Sequence, residues 1–175
     1  MRWLVLLFGL SFAAAAYADD RTAAAVEAFS KFCLPGPPDF AAIDAKAAAA
    51  KLEVRKDVST PLPPGQSARS KSWDAKLDDG GAYHLVAAEA RGPSRSSASC
   101  GIGVEGVERE SLKRELIKAL KLSMAASDNS SPDGVWHVTA WKYAADMTLI
   151  LTDRTAPMGI PGLYLSLVYQ KNSSR

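Results

Sequence analysis

Histidine and cysteine are scarce in this chain of 175 residues, which has two of each, and aromatic residues make up only 8%. The two histidines form no H-x-H or H-E-x-x-H pattern and the cysteines no Cys/His cluster, so the sequence carries no recognisable zinc motif. Neither sign of charge is in excess. With 21 Lys+Arg against 19 Asp+Glu the formal net charge is +2, too small for a strongly electrostatic nucleic-acid binder and unlike an acidic tail protein. Beyond the N-terminus no stretch approaches 18 consecutive apolar residues. The longest, Met147-Thr148-Leu149-Ile150-Leu151, is strand-sized, so no membrane insertion is expected of the mature chain. What is abundant is apolar material, 47% of residues, sufficient for one well-filled core and not for two large domains.

The N-terminus is the most specific passage. Met1-Arg2 is a short positive start, Trp3 to Ala16 is almost unbroken apolar sequence, and Ala16-Tyr17-Ala18 is a small-x-small cleavage signal before Asp19-Asp20. Residues 1–18 therefore read as a signal peptide, shorter than the roughly 20 residues that span a bilayer. A lipoprotein would carry Cys directly after the cleavage point, where this chain has Asp19. Cleavage removes one basic and no acidic residue, leaving a mature chain of net charge +1. The expected location is the periplasm or the extracellular medium. There an even cysteine count signals a bridge, and Cys33–Cys100 is the single intrachain pairing available. Redox chemistry ordinarily uses closely spaced Cys-x-x-Cys, so a structural disulfide is the expectation.

Residues 19–175 read as one α+β domain. Ala25, Val26, Phe29, Phe32 and Cys33 recur at helical spacing over Asp20–Leu34, and Pro35-Gly36-Pro37-Pro38 stops that helix. A second Ala-rich helix is predicted over Phe40–Leu52 with Asp39 as N-cap. Residues 53–69, with Pro61, Pro63, Pro64 and Gly65, read as a Pro-rich extended loop. Ser70–Leu77 alternates with period two, Asp78-Asp79-Gly80-Gly81 supplies turn chemistry, and strands follow at Tyr83–Ala90 and Ala98–Val104. Leu112, Leu116, Ile117 and Leu120 form the apolar stripe of a helix over Glu108–Lys121. After a loop at 127–134, strands are predicted at Val135–Tyr143, Ala145–Thr152 and Leu163–Gln170. The order α-α-βββ-α-βββ implies a mainly antiparallel sheet with covering helices, compatible with a profilin-like or PAS-like layout.

Several local patterns carry chemical suggestions. Gly101, Gly103 and Gly106 make G-x-G-x-x-G before a helix, the form of a dinucleotide-binding turn. The chain lacks the βαβ alternation that turn requires, and alternate glycines on a strand face against which another segment packs account for the pattern. No cofactor is expected. His84 and His137 both fall on strands, with Glu89, Asp146 or Asp153 as nominal third metal ligands, and no metal is expected either. Ser94, Ser96, Ser97 and Ser99 lack a G-x-S-x-G elbow, so a serine hydrolase site could only be assembled in space. Asp78-Asp79 suits turn closure better than acid catalysis. Arg69, Lys71, Arg91 and Arg95 could gather at one end of the first meander.

The second meander offers a candidate binding face. A reversal at Ala144-Ala145 would pair Ala140 with Leu149 and Val138 with Leu151 on a core face. It would place His137, Thr139, Trp141, Tyr143 and Ile150 on the other, where His137, Trp141 and Tyr143 could receive a partner.

The signal peptide, the helix carrying Phe32-Cys33, Trp73 before a Gly-rich hairpin, Cys100 on a strand, the Leu-rich helix and the Trp-bearing final strands resemble small exported bacterial proteins of unknown function over most of residues 20–170. The resemblance implies export and the disulfide and transfers no activity. The functional expectation is a non-enzymatic periplasmic or secreted domain that binds an envelope protein or a small ligand. The competing readings are a small hydrolase built around His84 or His137 and an inhibitor of an envelope enzyme acting through loops 59–69 or 91–97.

Overall fold

The computed structural model describes residues 10–76, 82–133, 136–154 and 162–172. Its elements are α1 (Leu10–Cys33), α2 (Phe40–Ala49), β1 (Glu53–Thr60), β2 (Ser67–Lys76), β3 (Ala82–Arg91), β4 (Arg95–Val104), α3 (Arg109–Leu120), β5 (Ser127–Ser130), β6 (Trp136–Ala144), β7 (Met147–Arg154) and β8 (Gly162–Asn172). All eight strands belong to one antiparallel sheet of order β1-β2-β3-β4-β8-β7-β6-β5. The fold is α+β, as expected. Two four-stranded meanders join through α3, and their last strands, β4 and β8, pair at the centre of the sheet.

Two strands were not anticipated, and they are the two edges. The Pro-rich loop predicted over 53–69 is strand β1, a short turn at 61–66 and the start of β2. The loop predicted over 127–134 contains β5. Every residue of β1 except Val58 is exposed, and of β5 only Ser127 is partly covered. An edge strand without an inward face has no alternation to read, and charged residues such as Arg55 and Lys56 keep such an edge from pairing with other chains.

Helix boundaries follow from local chemistry. Asp39 Oδ1 accepts from the Ala42 backbone N–H at 2.7 Å, the predicted N-cap of α2. Lys46 on α2 donates through Nζ to the carbonyls of Lys31, Phe32 and Leu34, which have no partner within α1. At the start of α3, Glu108 accepts from the N–H groups of Glu110 and Ser111. Its hydrogen bond to the Ser111 hydroxyl holds its carboxyl below the usual carboxylate range. Leu112 and Leu116 are fully buried, whereas Ile117 of the predicted stripe lies on the exposed side.

The core lies between one face of the sheet and the helices. Trp73, Leu85, Ile102, Leu165, Leu151 and Thr139 stand side by side across six strands. A second row runs through Ala87, Cys100, Leu167, Leu149 and Trp141. Phe29 and Phe32 of α1, Ile43 of α2 and Leu112 and Leu116 of α3 belong to the same apolar cluster. Burial of each large apolar side chain stabilises the fold by roughly 1.5–3 kcal/mol before chain entropy is counted. The Cys33–Cys100 disulfide, with Cα atoms 5.4 Å apart, ties α1 to β4 within this layer. Among the described residues, no helix packs on the opposite face of the sheet.

Candidate functional site

The predicted binding face on β6 is a core face. The observed register pairs Trp141 with Leu149 and Ala140 with Ile150, and Ala144 opposes Met147 across the reversal at Ala145-Asp146. This is one residue away from the predicted pairing, and a one-residue slip exchanges the two faces of a strand. Trp141 is 1% exposed and Thr139 fully buried, while Tyr143 is half-buried against the core. Of the three candidate residues, Trp141 is lost to the core and His137 keeps 36% of its side chain exposed.

His137 is held in a closed set of hydrogen bonds beneath α3. Its Nδ1 accepts from Arg109 Nε at 3.2 Å and its Nε2 lies 2.5 Å from Asp128 Oδ1. Arg109 Nη2 also donates to the Thr139 hydroxyl, which in turn donates to Asp128, and Lys113 Nζ donates to Asp128 Oδ2 at 2.8 Å. The Lys113 hydrogen bond, followed by those from His137 and Thr139, holds the Asp128 carboxyl well below the usual range against partial desolvation. The Arg109 side chain is 10% exposed, and its Nη1 is buried with no hydrogen-bond partner among the described residues. Both imidazole nitrogens are engaged, so this assembly joins α3 to β5 and β6 and leaves no ring atom for chemistry.

His84 is arranged differently. It projects from β3 on the uncovered face, opposite Asp74 of β2 and Gly103 of β4. Its Nδ1 lies 2.6 Å from Asp74 Oδ1, and Arg55 Nη1 approaches the same ring nitrogen at 3.2 Å and the same carboxylate oxygen at 3.8 Å. An ionised Asp74 requires Nδ1 to be the donor, which leaves Nε2 as the acceptor in the neutral ring. Among the described residues Nε2 has no hydrogen-bond partner.

The ring borders a cleft of about 460 Å³ whose lining includes Arg55, Ser72, Val86, Gly103, Glu105 and Tyr164. Tyr164 on β8 lies over the β4 glycines. A Cβ at Gly101 would come within 2.7 Å of the Tyr164 hydroxyl and of the Leu165 carbonyl oxygen. At Gly103 it would meet Tyr164 Cδ2 at 3.6 Å and His84 Cβ at 3.9 Å. Gly101 therefore serves close packing against β8, as expected, whereas Gly103 makes only ordinary contacts and keeps the floor open between the two rings. No protein-family model, curated protein or solved structure matches this chain.

The remaining sequence candidates are dispersed. Among the described residues no group of three or more His, Cys, Asp or Glu side chains converges to hold a metal. The histidine partners are Asp74 and Asp128, neither of them among the nominal ligands. Ser97 and Ser99 line a different depression, and the serine bordering the His84 cleft is Ser72. Arg69 pairs with Glu89 at 2.8 Å and covers the Phe40 ring, and Lys71 pairs with Asp44 at 2.8 Å, which raises the Lys71 pKa. These two cations are thus engaged within the fold. Asp78 and Asp79 lie outside the described residues. The two expected inhibitory loops shrink to the short connections 61–66 and 92–94.

The Asp74–His84 pair was not read from the sequence, although parity contains it. Trp73 and Ala75 face inward on β2, as Leu85 and Ala87 do on β3. Opposed residues share a face, so the register must set odd against odd and even against even. The observed pairing of Trp73 with Leu85 then places Asp74 opposite His84.

Proposed function

We propose that this is an exported, non-enzymatic binding domain that receives a small ligand in the His84 cleft of the uncovered sheet face. The observation that carries the reading is the contrast in covering. The helices occupy one face of the sheet, and the opposite face holds a cleft with apolar walls, a few convergent polar groups and an imidazole nitrogen without a partner among the described residues. That combination is the usual composition of a small-molecule site. Export is supported by the N-terminal pattern of residues 1–18 and is compatible with the Cys33–Cys100 bridge.

Amide-correlation NMR with a library of small polar fragments tests the reading. Saturable shifts are expected at Val86, Gly103 and Tyr164, and they should vanish in Gly103→Val, whose side chain fills the floor of the cleft. Shifts confined elsewhere, or indifferent to that substitution, overturn it.

A second reading is favoured by one observation. A carboxylate on Nδ1 of an imidazole that borders a cleft is the pairing of a general base, which takes a proton from water attacking an ester carbonyl. Turnover of a neutral p-nitrophenyl ester that disappears in His84→Ala would favour this reading over simple binding, and equal background rates would remove it.

A further inference from the structure

The cleft has a charge order as well as a shape. At one end Arg55 has only Nη1 engaged, at the Asp74–His84 pair. Its Nε and Nη2 have no partner among the described residues, and its side chain is 43% exposed. At the other end Glu105, just past the end of β4, lines the cleft with no hydrogen bond or ion pair among the described residues. Between them lies the His84 ring, whose Nε2 is an acceptor in the tautomer that donates from Nδ1 to Asp74, and Val86 supplies part of the apolar wall. The register fixes the order of these groups across the sheet: Arg55 comes from β1, His84 from β3 opposite Gly103 of β4, and Glu105 from the bend that follows β4.

Resting on the reading of this cleft as a ligand site, we propose that its ligand is a short zwitterion with an amide between its charged ends. Its carboxylate lies against Arg55, its amide N–H donates to His84 Nε2, and its ammonium group lies against Glu105. An ion of one sign would leave one end of the cleft unanswered, and a ligand without an amide donor would leave the imidazole acceptor unused. Val86 and the open floor at Gly103 take an aliphatic side chain.

Isothermal titration calorimetry of the oxidised protein with glycyl-leucine, N-acetyl-glycyl-leucine and glycyl-leucinamide is the test. Removing either terminal charge should weaken binding by about tenfold, the effect of losing one charge-assisted hydrogen bond. In Glu105→Gln, an exposed substitution without structural partners, glycyl-leucine and its acetylated form should bind alike. In Arg55→Gln the acid and the amide should bind alike. If the acetylated dipeptide binds wild type as tightly as the free one, or if Glu105→Gln keeps the discrimination, the zwitterion assignment is wrong. Absence of dipeptide binding while neutral fragments still saturate the cleft overturns this assignment alone. Absence of all cleft binding overturns it together with the binding function.

Discussion

Two Arg-His-Asp trios stand on opposite faces of the same sheet, and they differ in what they leave unbound. On the helix-covered face Arg109, His137 and Asp128 use both ring nitrogens, and Lys113 and Thr139 complete the carboxylate's partners. On the uncovered face Arg55 and Asp74 both converge on Nδ1 of His84, and the ring borders a cleft. The same three residue types therefore build a structural joint in one place and, in the other, leave a ring nitrogen without a partner among the described residues. Composition cannot distinguish them. What does is whether the second ring nitrogen is taken: Arg109 occupies Nδ1 of His137 while Asp128 holds Nε2, whereas both partners of His84 sit on Nδ1 and Nε2 has no partner among the described residues.

The largest expected effect removes the covering itself. Replacing both Cys33 and Cys100 by Ser releases a bridge between residues 67 positions apart, at a cost of about 2–5 kcal/mol in urea unfolding. Hydrogen exchange should quicken first in α1 and α3, the layer above His137, with β3 less affected. Uniform acceleration across both faces would mean that the bridge stabilises the whole sheet and not the helix layer.

Next comes a direct comparison of the two arginines. Arg109→Ala removes a nearly buried side chain that joins His137 and Thr139, and should cost about 2–3 kcal/mol. Its unpartnered Nη1 keeps the loss below the upper end of that class. Arg55→Ala should change stability by no more than about 0.5 kcal/mol, since its ion pair is exposed and long. Equal losses in chemical denaturation would erase the distinction between joint and site.

The glycines of β4 sharpen the same contrast within one strand. Gly101→Ala forces a methyl group against a backbone carbonyl and the Tyr164 ring, and should destabilise by about 1–3 kcal/mol. Gly103→Ala makes only ordinary contacts and should stay within about 0.5 kcal/mol. A thermal-melt series on these two variants separates a glycine required for packing from one that keeps a cleft open.

Much of the architecture was legible because burial writes itself as periodicity. Trp73 and Ala75 on β2, Leu112 and Leu116 on α3, and Cys33 with Cys100 all occupy the places their pattern implied. The edges were not legible, since β1 and β5 have almost no buried residues to impose a period. The site failed for a related reason. A turn at Ala144-Ala145 would point Trp141 outward, whereas the reversal at Ala145-Asp146 points it into the core, so one residue in the turn inverts the strand. The Asp74–His84 pair depends on the same kind of register, between strands whose connecting turn lies outside the described residues. Side-chain convergence across strands is a property of register, and one residue of uncertainty is enough to lose it.

The smallest effect concerns pH and tests whether the helix-side trio is closed. The Asp128 carboxyl is depressed chiefly by the Lys113 hydrogen bond, so its folded form binds a proton less readily than the unfolded chain, where a carboxylate titrates near 4. The stability it contributes is therefore fully present above about pH 5 and declines as pH falls through the unfolded value toward the folded one. Since the Asp128 side chain is 37% exposed, its contribution should be only about 1 kcal/mol and should weaken in high salt. The difference in unfolding free energy between wild type and Asp128→Asn should shrink between pH 4 and 2. Lys113→Met should flatten the profile by removing the first cause of the shift. A difference that instead widened on acidification would mean that the folded state prefers the protonated acid. The Lys113, His137 and Thr139 contacts would then not act together on Asp128, and the helix-side trio would be as open as the one around His84.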